Sequence, residues 1–383
     1  MDEDTEDLEV AIIGAGITGL SIAWHLAQEQ VGRVVIFDGR GVGAGASGIQ
    51  PGGVRQQWGT AIACGMARES YRFYSSIDER LDPAVSPGLQ RCGYIFLAET
   101  ERGLAGLEHL VAVQQSMEVP SRTLTPAEVG ELASGISVDT IVGASYCADD
   151  GYFDRPQAVV AAFAAAGERA GVKLVPTHVR AIAPDGGGWR LSLADGTSAK
   201  AARIVVAAAW DSAELVAPLG IELPIEREPR YLFYSDPIRE RLLEPLVVAQ
   251  ERRFAAKQLA DGSVLASDLG AVGDPDANRA GWHRRIREAI TAIVPILEYV
   301  SFPVLVEGFY DVTPDRQPIL GALDGHAGLF VAAGLNGRGL MMAPAVGRML
   351  ADVLVDRDPD PTLESLTIAR FADGQLTPED NVV

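Results

Sequence analysis

The sequence predicts an α/β (α+β) fold of two interleaved units, and three observations carry that expectation. A short apolar strand, a glycine-rich turn and a helix-spaced apolar run open the chain in immediate succession. Short β-like runs separated by turn residues fill much of its middle. Near its end a second glycine-rich junction joins a buried strand to a long helix.

Composition narrows the class. A length of 383 residues suggests two domains, or one with a large insertion. Hydrophobic residues at 48 % and charged residues at 22 % suffice for a sizeable core. A net charge of −20 argues against nucleic acid, whose phosphates require a basic surface. Such an acidic surplus reads as a solubility feature, and residues 1–9 (MDEDTEDLE) read as a disordered, solvated tail. No secretory signal is visible. No apolar run approaches the roughly 20 residues that span a bilayer. Cys64, Cys92 and Cys147 are far apart and form no C-x-x-C, so the expectation is a reducing cytoplasm with no disulfide and no metal. Lysine occurs only at Lys173, Lys200 and Lys257.

Taken in order, residues 8–13 (LEVAII) read as a buried parallel strand and residues 20–28 as a helix. Residues 34–37 (VVIF) form a second buried strand ending at Asp38. An amphipathic helix is predicted over 61–81, a strand over 91–97, and helices from Pro126 and Pro156. Residues 172–203 hold three strand-like runs with turns at 184–188 and Asp195-Gly196, a β-meander. Residues 203–209 (RIVVAAA) read as another buried strand. Residues 224–309 alternate β-like runs with one helix, 280–293, and read as a second, substrate-facing domain. Residues 328–333 return as a buried strand before a helix over 340–355.

The first turn, Gly14-Ala15-Gly16-Ile17-Thr18-Gly19, is a G-x-G-x-x-G between strand and helix, and Asp38 lies 19 positions past its last glycine. That context separates it from a chance glycine-rich turn. Gly14 permits the tight turn, Gly16 lets a pyrophosphate approach the backbone, and Gly19 lets the helix pack on the strand. The helix N-terminus, from Ile17 and Thr18, offers N–H groups to phosphate. Asp38 would accept from ribose hydroxyls and repel a 2′-phosphate, which disfavours NADP. The small-residue loop 39–53 contains Gly39, Arg40, Ser47, Gly48, Gly52 and Gly53, and suits close approach to a phosphate or a ring better than it suits a linker. With a meander and a second glycine-rich junction as well, the arrangement fits a long two-headed dinucleotide in extended form. The unit is Rossmann-like.

The segments 10–19 (VAIIGAGITG), 43–55 (GAGASGIQPGGVR), 204–210 (IVVAAAW) and 308–347 (GFYDVTPDRQPILG…GLNGRGLMMAPAVG) resemble the D-amino-acid oxidase and sarcosine oxidase family of flavoproteins, nearest its sarcosine oxidase-like branch. The resemblance implies FAD. It also implies a Rossmann-like FAD-binding domain with a β-meander (1–90, 146–218 and 319–383) and a substrate domain on a mixed or antiparallel sheet (91–145 and 219–318). Ser47, Gly48, Gly52 and Gly53 would wrap the pyrophosphate and one ring edge, Val179 would meet the adenine, and Ala208 and Trp210 would line the dinucleotide. Gly334, Asn336, Gly337, Arg338, Gly339, Leu340 and Met341 would hold the pyrimidine edge, where a helix N-terminus favours negative charge on the ring.

Departures from the family pattern matter as well. Gly308 stands where members with covalent flavin carry cysteine, so non-covalent FAD is expected. Tyr310 stands where glycine oxidases carry an arginine for the substrate carboxylate. Met341 and Leu265 stand near lysines of the sarcosine branch. Arg55 matches a substrate-facing position, where a planar guanidinium would pair with a carboxylate, although most arginines in a protein lie on its surface. Arg338 is a second anion grip, weighed equally against a loop salt bridge. Lys257 is a candidate to face the flavin, although an exposed side chain is the commoner outcome. His25 and His178 are expected to be structural.

The implied activity is oxidation of the C–N bond of a small amino acid, N-alkyl amino acid or amine to an imine, by hydride transfer to flavin. Whether it is an oxidase or a dehydrogenase stays open. The alternatives are a C–O dehydrogenase for 2-hydroxy acids or glycerol phosphate, and a flavin-binding subunit of a larger complex. Homo-oligomer and partner subunit are both open.

Overall fold

The computed structural model describes residues 8–381; residues 1–7 of the expected tail lie outside the described residues, and Leu8 and Glu9 correct that expectation by opening a strand. Strand Leu8–Ile13 is buried along nearly its whole length and pairs in parallel with Val34–Phe37 on one side and Ser198–Val206 on the other. Continuous burial is what a parallel strand covered on both faces requires.

Strand Ser198–Val206 corrects the reading of the meander. It is the meander's third strand and the parallel neighbour of the first strand at once. Its first half alternates exposed and buried residues and pairs antiparallel with Gly188–Leu193 (Ser192 opposite Ser198, Trp189 opposite Ala201). Its second half is buried and pairs in parallel with Leu329–Ala333 (Ile204 opposite Leu329). Alternation marks a sheet with one solvated face and continuous burial a covered one, so the sheet branches where the pattern changes. The other meander strand is Val179–Asp185. Lys173–Val175 departs from the meander and pairs in parallel with Val34–Phe37.

Helix Ile17–Gln28 lies across the closing helix Gly339–Leu354 at very close range. A Cβ at Gly347 would stand 2.4 Å from Ser21 Oγ, and that hydroxyl donates to the Ala343 carbonyl at 2.7 Å. The helix expected over 61–81 is two: Ala61–Tyr74, whose N-cap Thr60 accepts from Ala63 N, and Ile77–Leu81. Ser75 breaks it by donating its own hydroxyl to the Tyr71 carbonyl, the local competition typical of serine.

A second sheet of eight strands is antiparallel except where Leu246–Ala249 runs parallel to Tyr94–Ala98. Helix Pro275–Ile293 covers it with Trp282, Ile286 and Ile290, and the Trp282 ring stacks on Tyr231 at 4.3 Å. It begins five residues before the expected position 280, because Asp274 caps it and Pro275 occupies its first turn. Helix Glu101–Ser116, which no reading of the sequence singled out, buries only Leu107, Val111 and Gln114. The expected boundary at 145/146 falls inside strand Gly143–Cys147 of this sheet.

A three-stranded sheet of Gly53–Val54, Gly151–Phe153 and Leu89–Gln90 lies beside both larger ones. It fixes the chain just before Arg55. No helix among the described residues is long and apolar enough to cross a membrane.

Candidate functional site

A cavity of about 360 Å³ runs from the first glycine turn to the second sheet. At one end it is bounded by Gly14, Gly16, Ile17, Thr18, Asp38 and Gly39, with Arg40 and Ser47 beside them. Val179 lines it from the meander, and Ala208 and Trp210 from the turn that follows strand Ser198–Val206. Asn336, Gly337, Gly339, Leu340 and Met341 close its middle, and Gly53, Arg55, Lys257, Tyr310 and Arg338 reach its far end. Leu265 and Gly308 line it as well.

Four expected cofactor residues do not line it. Gly19, Gly48, Gly52 and Gly334 are glycines for packing. A Cβ at Gly19 would stand 2.1 Å from the Gly14 carbonyl oxygen, and one at Gly48 would stand 2.4 Å from that of Gly43. Gly52 and Gly334 have φ of +79° and +67°. What they show is a main-chain path that a side chain would block or strain.

Asp38 braces the turn from within. One carboxylate oxygen accepts from Ala15 N at 2.8 Å, the other from Arg40 N at 2.8 Å and Gly41 N at 3.1 Å. Each oxygen has further lone pairs for ribose hydroxyls. Ser47 Oγ accepts from Ile17 N at 3.0 Å, tying the loop to the helix N-terminus. Arg40 forms a half-exposed pair with Asp211 at 2.8 Å. His178, expected to be structural, lines the cavity against Gly39. His25 is buried away from the cavity, donates from Nδ1 to the Ser21 carbonyl at 2.8 Å, and burial pushes its pKa down to about 4.

The far end is built from side chains. Arg55 is buried and lies 3.6 Å over the Trp58 ring. Its Nη2 donates to the Asn381 carbonyl at 2.9 Å, while Nη1 has no partner. Arg338 caps the closing helix and is equally buried, 5.1 Å from the same ring. It donates to the carbonyls of Leu335 and Arg316, and its Nη1 is again unpartnered. Burial pulls both guanidinium pKa values down, that of Arg338 to about 10, and for Arg338 the neighbouring Arg55 charge acts in the same sense.

Tyr310 is packed so tightly that a Cβ at Gly337 would fall 2.3 Å from its ring, and the Arg230 guanidinium lies 4.8 Å over that ring. Lys257 corrects the expectation of exposure. It is 5 % exposed, donates from Nζ to the Pro51 carbonyl at 2.5 Å and lies 4.7 Å over the Tyr152 ring. Burial lowers its pKa to about 7. Strand Phe254–Gln258 is central in its sheet, which encloses even a lysine.

Several lining residues went unread in the sequence. Trp58, three positions after Arg55, donates from Nε1 to the Arg55 carbonyl at 3.0 Å. Its spacing from Arg55 was an available signal. Tyr94 stands so close that a Cβ at Gly53 would lie 2.6 Å from its hydroxyl, and nothing local marks it. Behind Arg55, the buried Asp150 carboxylate accepts from Gln56 N, Gln56 Nε2 and Gln57 Nε2 at 2.9–3.1 Å, and burial raises its pKa to about 6. Asp38, Asp211 and Asp311 are the acidic residues lining the cavity among the described residues. Asp38 braces the glycine turn, Asp211 pairs with Arg40, and Asp311 accepts from Leu335 N at 3.1 Å. The Arg55 and Arg338 guanidiniums repel one another, and the carboxylates of Glu379, Asp150, Asp311 and Asp315 offset part of their charge.

The features fit FAD. The turn and loop offer backbone N–H groups at a helix N-terminus, Gly16 is open toward the cavity apart from Ser47, and the cavity continues past Gly337 to orphaned buried donors. Among the described residues no cluster of His, Cys, Asp or Glu could hold a metal ion.

Residues 9–353 match the family model of FAD dependent oxidoreductases (DAO), and the chain belongs to that family. It is 29 % identical over 366 residues to a glycine oxidase of Geobacillus kaustophilus, covering 92 % of this chain and 94 % of the relative. It is 25 % identical to the sarcosine oxidase subunit beta of Rhodobacter capsulatus, covering 98 % and 92 %. The crystal structure of L-proline dehydrogenase from P. horikoshii superposes with a TM-score of 0.89 at 24 % identity, covering 97 % of this chain and all of that one, and shows the same fold. The chain spans less than half the length of several other curated relatives.

Proposed function

We propose that this FAD-dependent oxidoreductase oxidises the C–N bond of a small amino acid or N-alkyl amino acid, holding the substrate carboxylate with Arg55 and Arg338. One observation carries the reading: two buried guanidiniums line one cavity, each with an unpartnered Nη1. Buried donors left without acceptors are costly, so an anion is the ligand that completes them. The likeness to glycine oxidase and to a sarcosine oxidase subunit supports an amino acid as that anion.

FAD, when bound, supplies the hydride acceptor. The chain supplies orientation. A planar fork fixes a carboxylate in one attitude, which aligns the neighbouring carbon. Trp58, Tyr94 and Tyr310 wall the cavity and exclude water, which strengthens the ion pair. Lys257, whose pKa is about 7, can hold or release a proton at Nζ. Gly308 offers no thiol, so we place FAD there without a covalent bond; acid precipitation is expected to leave the flavin in the supernatant. We divide the chain along its two large sheets, the first with the cofactor and the second over the substrate. The likeness to a protein named as a subunit supports work within a larger assembly, and three free cysteines support a reducing cytoplasm.

The test is anaerobic flavin bleaching by amino acids, N-methyl amino acids, 2-hydroxy acids and the amines lacking a carboxylate. Bleaching by the first two classes, with release of ammonia or a free amine, is the expected result. Equal bleaching by the decarboxylated amines would sink the carboxylate reading, and bleaching by hydroxy acids alone would move the chemistry to a C–O bond.

A further inference from the structure

Segment 377–381 carries no regular secondary structure, yet Glu379 and Asn381 are buried. The Thr377 carbonyl accepts from Gln317 Nε2 at 3.2 Å, and Glu379 N donates to the Asp315 carbonyl at 3.0 Å. The Glu379 carboxylate then takes four donors: Gly59 N at 2.8 Å and Asn381 N at 3.0 Å on one oxygen, Thr60 N and Thr60 Oγ1 at 3.0 Å on the other. Asn381 Nδ2 donates to the Gln57 carbonyl at 2.8 Å, its Oδ1 accepts from Gln250 Nε2 at 2.7 Å, and its main-chain carbonyl accepts from Arg55 Nη2 at 2.9 Å.

From these contacts we infer that segment 377–381 is a positioning element for substrate binding, setting which edge of the Arg55 guanidinium faces the cavity. The inference rests on the reading of Arg55 as a carboxylate grip. A guanidinium on a flexible stem can present several edges, and its selectivity depends on which is free. Here the Asn381 carbonyl takes Nη2 and leaves Nη1 unpartnered. The strap also carries a buried carboxylate, Glu379. Burying a carboxylate is expensive without compensation; the four hydrogen bonds supply most of it here, and the charges of Arg55 and Arg338, which Glu379 in turn stabilises, supply the rest. The strap therefore both orients Arg55 and offsets part of the charge that Arg55 and Arg338 concentrate in the empty-handed site.

The experiment compares FAD-loaded wild-type protein with a variant lacking residues 377–383, with Glu379→Ala and with Arg55→Lys. Three quantities are read: FAD content with melting temperature, the calorimetric Kd for 2-furoate, and the ratio of kcat/KM for proline over pyrrolidine and N-methylglycine over dimethylamine. In the two strap variants FAD content stays near wild type, while the acid-over-amine ratio and 2-furoate affinity fall between about tenfold and a hundredfold, the scale of a small misplacement of a catalytic group. A synthetic peptide of residues 375–383 restores both in the truncated protein. A merely structural strap would slow acid and amine in the same proportion, and that result, or an unchanged ratio in Glu379→Ala, overturns the inference. If the truncated protein does not fold, Glu379→Ala decides alone. If Arg55→Lys collapses the ratio and the strap variants do not, the strap inference falls and the carboxylate reading stands. If Arg55→Lys leaves the ratio unchanged, both fall.

Discussion

At the end of the cavity beside the first glycine turn the lining is largely main chain of the stretch Gly14 to Ser47, braced by Asp38 and Ser47, with Val179 and Ala208 beside it. At the opposite end they are side chains from six separate stretches: Arg55 with Trp58, Tyr94, Lys257, Tyr310, Arg338, and the strap that ends at Asn381. A main-chain cradle suits a pyrophosphate, which every dinucleotide shares. A side-chain cage recognises one substrate and can be altered one residue at a time. Damage at the first end should therefore cost the cofactor, and damage at the second should cost only the substrate.

The largest effect is expected from Gly14→Ala and Gly19→Ala. Gly14 has φ of +115° and its Cβ would lie 2.3 Å from the Ala207 carbonyl oxygen, while that of Gly19 would lie 2.1 Å from the Gly14 oxygen. Backbone strain and overpacking together cost roughly 2–6 kcal/mol. The purified variants should be colourless or nearly so, and retained flavin absorbance would break the division between the two ends.

Arg55→Lys comes next. Losing the planar fork while keeping the charge should cost about 1.5–3 kcal/mol, or roughly ten- to a hundred-and-fiftyfold in kcat/KM for an acid substrate. FAD content should stay normal, and a variant that lost FAD would blur the comparison.

Asp38→Ala should weaken FAD retention by about 1–3 kcal/mol. The sequence alone suggested a change confined to ribose binding. Because the carboxylate also accepts from Ala15, Arg40 and Gly41 N–H groups, the melting temperature of the FAD-free protein should fall too. An unchanged melting temperature would remove the bracing role.

The smallest effect concerns Lys257. Protonated below its pKa of about 7, it adds positive charge to the substrate end. The Kd of a carboxylate such as 2-furoate should therefore rise as pH increases through about 7, by less than about tenfold in a cavity that also holds two arginines. Anion binding should in turn raise the Lys257 pKa. Lys257→Met should flatten that profile; an identical profile in the variant would assign the titration elsewhere.

The sequence by itself determined the strand–turn–helix opening and the glycine fingerprint with Asp38, whereas Arg55 and Arg338 stood out only through the family resemblance, each weighed against a surface or salt-bridge role, and both line one cavity. The opening and the fingerprint are legible because a tight turn, a helix N-terminus and a buried strand are constraints within a few residues of chain. Tertiary structure alone decided that Ser198–Val206 serves two sheets, that Lys257 is buried and that Gly52 and Gly334 pack without lining the cavity. It also brought Tyr94 to Gly53 and the Asn381 carbonyl to Arg55, 326 positions away in sequence. Burial and hydrogen-bond partnership of a side chain depend on whatever distant segment completes its surroundings, and no local pattern of residues carries that information.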